Sequence, residues 1–292
     1  MKRNISAFFV AVFACTLAFT GCSNMIQQLK LGSSEPGVPE VKLGPKIIGR
    51  DALEIGDIVF NDGSAIPYDP DMEPLTDDQL GAAIAVIFYV GTECSNADEH
   101  GALATRTLGV GLVHDIPQGS GTYPPTRQWC YKNDYDRIAS GYDVVITPIV
   151  CTKTGSVFVG DKDGSDNLQQ MGQFFRSQGL TDDTDEPGMY PPFEFAKNYA
   201  SKEGSHVSGS RYANNWYLPS ICELYYIWSA RTTVNGAMGK CNGQQFETER
   251  AYWSSSQDSS NKNCAFYLRD DGTTYGYRKL YQDAPWCCIR EF

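Results

Sequence analysis

Trp216-Tyr217-Leu218-Pro219-Ser220-Ile221-Cys222-Glu223-Leu224 reads as the start of a helix. Ser220 offers a capping hydroxyl, and Glu223, three residues on, can reach back to the cap's own N–H, the reciprocal pair of a capping box. Ile221, Leu224, Tyr225 and Trp228 follow at helical spacing and define a core-facing stripe. Upstream, a helix is expected from Phe193 to about Ser201, with Phe195, Ala196 and Tyr199 turned inward. Thr76-Asp77-Asp78-Gln79 forms a second capping box before the apolar run Leu80–Val90. Within that run, Ala82–Val90 fits a helix running into a strand, and its pattern does not decide between the two. Ile55–Phe60 has strand character and ends in the turn Asn61-Asp62-Gly63. Gly109–Val113 and Tyr142–Val150 are expected to be further strands.

The end of the chain, Tyr252–Phe292, has a different composition. Apolar residues are sparse, and Ser, Asn, Asp, Gly, Thr, Tyr and Arg dominate. Asp271-Gly272 is a hairpin signal between Ala265–Arg269 and Tyr275–Leu280. Three short strands joined by polar loops are expected here. Trp216, Leu218, Leu224, Trp228, Trp253, Leu268 and Ile289 are expected core residues, and Ala265 should face inward with Leu268.

The opposite end carries an address. Lys2 and Arg3 precede an apolar run from Ile5 to Phe19, which ends in Thr20-Gly21-Cys22. A basic head, a short apolar stretch and small residues before the cut are the parts of a secretory signal. The run is too short for a stable membrane-spanning helix. Small residues before a cysteine resemble a lipobox, in which that cysteine is acylated. Residues 1–21 are therefore read as a signal peptide, Cys22 as the lipidation site, and 22–50 as a flexible spacer rich in Gly, Ser and Pro. The folded domain is expected over 51–292. This predicts an exported chain anchored to the outer membrane and displayed at the cell surface.

Composition narrows the partners. With 35 acidic against 24 basic residues and a net charge of −11, no nucleic-acid partner is expected. Eight cysteines remain beyond Cys15 and Cys22. An exported chain could pair them, but spacing alone does not fix a connectivity; mostly buried thiols with one or two bridges are expected. His100, His114 and His206 do not fall at zinc-ligand spacing to them.

Four motifs, in order along the chain, resemble one family. Ile55–Gly63 is similar to a "G-D-I-V-x-x-D-G" opening, Trp216–Leu224 to a "W-R-L-P-T…E-L" helix start, Tyr252-Trp253-Ser254-Ser255-Ser256 to "Y-W-S-S-S", and Ile289-Arg290-Glu291-Phe292 to a terminal "V-R-x-F". The family is that of C-type-lectin-like domains of the formylglycine-generating-enzyme type. The resemblance implies an α+β fold with two helices packed around short antiparallel sheets. A subset of the family comprises variable proteins of diversity-generating retroelements. Their C-terminal segment is rewritten by adenine-directed mutagenesis toward residue types abundant in Asp258–Cys287. Signal, spacer, domain and a terminal variable segment at about 253–292 resemble a lipid-anchored member of that subset. The resemblance therefore implies a monomeric binding module for a protein or other surface ligand, without catalysis. Two other readings stay open: an oxidoreductase of the formylglycine-generating type and a structural envelope lipoprotein without a specific ligand.

For the binding module, the exposed face is expected to comprise Asp258, Asn263, Tyr267, Arg269, Asp270, Thr274, Tyr275, Tyr277, Tyr281, Asp283 and Trp286. Tyrosine and tryptophan supply large contact area at low entropic cost, and small polar residues add adaptable hydrogen bonds. No resident cofactor is expected. Asp161, Asp163 and Asp166 form a weak Ca²⁺ candidate that lacks the distant bidentate glutamate of an EF-hand, so a solvated acidic turn is the favoured reading. The Glu-Pro-Asn and Trp-Asn-Asp triplets of calcium-dependent lectins are absent, with Glu186-Pro187-Gly188 coming nearest. Cys287-Cys288 is the only adjacent cysteine pair, and neighbouring strand residues would point its thiols apart.

Overall fold

The computed structural model describes residues 53–115, 128–132, 137–155, 157–248, 250–280 and 284–292. All belong to one unit, Val41–Phe292. Cys22, the signal and the spacer lie outside the described residues. In chain order the elements are β1 (Ile58–Phe60), β2 (Ala65–Ile66), α1 (Asp77–Leu80), β3 (Ala83–Gly91), β4 (Arg106–Gly111), β5 (Cys151–Thr154), β6 (Val157–Gly160), α2 (Asn167–Ser177), α3 (Pro191–Lys197), α4 (Ile221–Ser229), α5 (Arg231–Lys240), β7 (Tyr252–Gln257), β8 (Cys264–Leu268), β9 (Thr274–Arg278) and β10 (Ile289–Glu291). No helix among the described residues is long and apolar enough to cross a membrane.

The architecture is mixed α and β with small antiparallel sheets. A five-stranded sheet runs β10-β4-β3-β1-β2, β5 pairs with β6, and β7-β8-β9 form a third sheet. β3 is the centre of the first sheet. Ala83 to Tyr89 are all buried, so an uninterrupted apolar run becomes a strand covered on both faces. The ambiguous stretch is thus strand, with the Thr76 capping box confined to the single helical turn α1. β10 closes the far edge, with Ile289 opposite Val110 and Glu291 opposite Leu108.

Two further expectations change. Tyr142–Val150 is not a strand. It forms turns and a 3-10 turn at Thr147–Ile149, and only Val150 bridges, to Gln257. Pro148 cannot donate to a ladder, and the Ile146 N–H is taken by the Gln257 side chain at 3.1 Å. There are five α-helical segments among the described residues rather than two. The Phe193–Ser201 helix is observed as α3, begun two residues early by Pro191-Pro192, followed by a 3-10 turn at Tyr199–Ser201. Phe195, Ala196 and Tyr199 are buried as expected.

α4 starts at the Ser220 capping box, and both of its hydrogen bonds are present. Glu223 does more than cap. It is fully buried and also accepts from Arg106 (3.0 Å), the Tyr217 hydroxyl (2.8 Å) and the Gly164 N–H (3.0 Å). Arg106 reaches Asp163 (2.7 Å) and Glu291 (3.0 Å) as well, and donates to the Cys94 carbonyl. One buried guanidinium thereby ties β4, β10, the start of α4 and the loop before α2 together.

Candidate ligand-binding face

The β7-β8-β9 sheet carries the expected face. Trp253 lies opposite Tyr267, Tyr267 opposite Tyr275, and Ala265 opposite Tyr277. Cross-strand partners share a face of the sheet, so these residues form one aromatic ladder. Its inner end is fixed, because Trp253 and Ala265 are fully buried. Its outer end is open: Tyr275 is 47 % exposed, and Tyr267 and Tyr277 are half-buried. Tyr267 stacks on Tyr275 with centroids 6.1 Å apart and meets Tyr277 edge-on at 4.8 Å. The Arg269 guanidinium lies 5.7 Å from the Tyr275 ring centre. Tyr267, Tyr277, Arg250, Arg269, Asp270 and Ala284 are among the residues lining a cleft of about 300 Å³ beside the ladder.

The other face of this sheet is occupied. Leu268 and Tyr252 are buried against α4 in the second apolar cluster, where Phe266 also packs. The hairpin tip is clamped to the helix end. The Trp228 indole N–H donates to the Asp270 carbonyl at 2.7 Å, and Arg231 donates to the same oxygen. Gly272 has φ +79°, and a Cβ there would stand 2.6 Å from the Trp228 ring. Trp228 is accordingly a half-buried wall rather than a core residue, which corrects its expected place. The base of the hairpin is held by Lys279. This side chain is fully buried, and its ammonium donates to the carbonyls of Gly141 (2.5 Å) and Lys262 (2.9 Å), beside the Trp129 ring. Burial pushes its pKa down to about 8.

The remaining expected site residues separate. Trp286 is 3 % exposed and packs near Phe195, so it leaves the face. It bridges to Asp115 on a segment that returns to the main sheet, and the flanking residues Ala284 to Ile289 are all buried. Asn263 is turned toward a neighbouring loop, where its amide donates to Asp143 at 2.9 Å. Asp258 accepts from Ser260 and lies against Gly276, so it braces a turn. Thr274 begins β9 and is half-buried. Tyr281 and Asp283 lie outside the described residues. The structure therefore brings together Tyr267, Tyr275, Tyr277, Arg269 and Asp270, and adds Arg250, which sequence reasoning missed. Arg250 precedes the aromatic strand in a segment without periodicity, so nothing marked it.

The acidic loop is engaged by the protein itself. Asp161 is buried and accepts from Asn96; burial pushes its carboxyl up to about 6. Asp163 pairs with Arg106 and caps Ser165, while Asp166 accepts from Gln170. Among the described residues no group of three or more His, Cys, Asp or Glu side chains is placed to hold a metal ion. Cys94, Cys130, Cys151, Cys222, Cys241, Cys264, Cys287 and Cys288 are all buried free thiols, with no bridge among them. Cys287 lies in one apolar cluster and Cys288 in the other, so the adjacent pair diverges.

Comparison with known protein families, curated proteins and solved structures returned no match to this chain.

Proposed function

We propose that this chain is a lipid-anchored display module that binds a protein or other surface ligand through the Tyr267–Tyr275–Tyr277 face. One observation carries the reading: three tyrosines lie on a single sheet face, rising from a fixed tryptophan toward solvent beside an open cleft. Exposed aromatics in such a group suit recognition, because rigid rings bury area without losing much side-chain freedom. The C-type-lectin-like fold of the formylglycine-generating type and retroelement-driven diversification of the terminal segment are part of the proposal. The four ordered motifs support the first, and the composition of Asp258–Cys287 supports the second. Cys22 would hold the module at the outer membrane, with 22–50 as the tether.

The experiment is selection from a random-peptide display library. The mature wild-type chain should enrich specific binders. A Tyr275→Ala/Tyr277→Ala variant should keep its circular-dichroism spectrum and lose those binders by about tenfold or more, the scale of removing aromatic anchors from an interface. Binders that hold equally well to the variant would place recognition elsewhere.

A further inference from the structure

Cys94 and Cys222 come from distant parts of the chain and meet in the second apolar cluster. Cys94 lies in the turn after β3, and Cys222 is the second residue of α4. They are 0 % and 1 % exposed. Two contacts bring their backbones together. The Cys222 thiol donates to the Glu93 carbonyl at 3.6 Å, and that carbonyl belongs to the peptide joining Glu93 to Cys94. Arg106 Nη1 donates to the Cys94 carbonyl at 2.9 Å and to the Glu223 carboxylate at 3.0 Å. One nitrogen thus spans Cys94 and the neighbour of Cys222. The Cys94 N–H is pinned in turn to the Tyr89 hydroxyl at 3.2 Å. Within this frame the two thiols lie in hydrogen-bonding reach of each other.

Nearby cysteines are placed differently. Cys151 opens β5 in the same cluster, but its sulfur approaches the backbone N–H of Cys222. The Cys241 thiol is turned onto its own helix, where it donates to the Ala237 carbonyl at 3.3 Å. A disulfide closes readily only where two sulfurs already meet on a backbone that need not move. Cys94 and Cys222 satisfy that condition.

We propose that Cys94 and Cys222 are a disulfide-forming pair, closed by exchange with an external disulfide while the chain folds. The exported address enters only as the source of the oxidant, since disulfides form outside the reducing cytosol. Burial pushes the Cys94 thiol well above its ordinary range, so the reactive thiolate is scarce once the fold is complete. Closure therefore belongs to a chain that is still open. One thiolate of the pair attacks the external disulfide, forms a mixed disulfide and releases one thiolate of the oxidant. The other cysteine loses its proton to solvent, and its sulfur displaces the second thiolate. Two cysteine thiols are oxidised to one S–S bond, and one external disulfide is reduced to two thiols. The bond links the end of β3 to the start of α4 across a long loop, the case in which a cross-link constrains the unfolded chain most.

The test is refolding of the reduced mature chain with mixed oxidised and reduced glutathione, or with dithiothreitol alone. Free thiols are then alkylated, and a non-reducing digest is mapped by mass spectrometry. The glutathione sample should contain the Cys94–Cys222 linked peptide as its main cross-link. Its urea midpoint should exceed that of the dithiothreitol sample by about 1 M, the scale of a native disulfide. Cys94→Ala should abolish this difference, and Cys151→Ala should keep it. Should a variant fail to fold, the peptide map of the unaltered chain still decides. Alkylated Cys94 and Cys222 after oxidative refolding, either one linked mainly to another cysteine, or equal midpoints for the two samples overturn the proposal. Because the oxidant is supplied in the tube, the outcome is independent of the exported address and of the tyrosine face.

Discussion

Glu223 sits with four donors converging on its carboxylate: Arg106, the Tyr217 hydroxyl and the N–H groups of Gly164 and Ser220. Burial pushes the carboxyl up to about 7, while Arg106 and the hydrogen bonds oppose that rise. Arg106 in turn is held firmly protonated, since its acidic and phenolic neighbours outweigh its own desolvation. Without the carboxylate Arg106 keeps Asp163 and Glu291, but the buried Tyr217 hydroxyl and the Gly164 and Ser220 N–H groups lose their acceptor, and a buried donor left unsatisfied costs about 1–3 kcal/mol. Glu223→Ala should therefore destabilise the fold by about that amount in urea unfolding, more than an exposed cap would. A loss under about 1 kcal/mol would show that the cluster is not a structural hub. The sequence marked Glu223 as a cap because the capping box is local. Its role as an acceptor for Arg106, 117 positions away, has no local signature. Lys279 is a similar case: a lysine in a polar segment reads as solvated, and only the assembled carbonyls of Gly141, Val144 and Lys262 make a buried site for it.

At the level of elements, the β8–β9 hairpin was legible and its surroundings were not. Asp271-Gly272 fixed the turn, and Ala265 and Leu268 are both buried as expected, but on opposite faces of the sheet, Ala265 behind the tyrosine ladder and Leu268 against α4. Trp286 was misplaced by being grouped with the polar stretch that ends at Asp283, whereas its own neighbours Ala284, Pro285, Cys287 and Cys288 are apolar and its segment docks back onto the buried core. Tyr142–Val150 failed for another reason: β-branched and aromatic content mimics a strand, but Pro148 and the Gln257 side chain remove the ladder. The tip also gives a sharp test of the clamp. Gly272 combines a left-handed backbone with close approach to Trp228. Gly272→Val should cost about 1–3 kcal/mol of stability, since a β-branched residue is strained there whatever the space. It should also quench or shift Trp228 fluorescence relative to wild type. An unchanged melting curve would mean that the tip is not seated on the indole.

For the molecule as a whole, acid sensitivity has an identifiable source. His114 follows β4, is buried against Phe246 (4.5 Å) and Tyr252 (5.8 Å), and its Nε2 has no hydrogen-bond partner among the described residues. Burial pushes its pKa from 6.5 down to about 3. The unfolded chain then binds more protons than the folded one between those values. Stability from this group is complete above about pH 6.5 and is lost as pH falls toward 3. The loss is on the order of 4 kcal/mol at the acid end. His114→Leu should flatten the fall in unfolding free energy between pH 6.5 and 4; an unchanged slope would assign acid lability to other groups.

The two faces of the β7-β8-β9 sheet underlie the proposed function. Trp253 and Ala265 fix the inner end of the tyrosine ladder and Leu268 the opposite face against α4, while Tyr275 at the outer end is exposed. The proposed display module would need that separation, with the sheet as its constant frame. Scanning every substitution from Tyr252 to Glu291 for retained folding and for library-peptide binding tests this most directly. The expected map is intolerance at Trp253, Ala265, Leu268, Cys288 and Ile289, with Arg269, Thr274, Tyr275 and Arg278 tolerant for folding and Tyr275 and Arg269 decisive for binding. Tyr275 as intolerant for folding as Trp253, or binding indifferent to every substitution on the tyrosine face, would contradict the account.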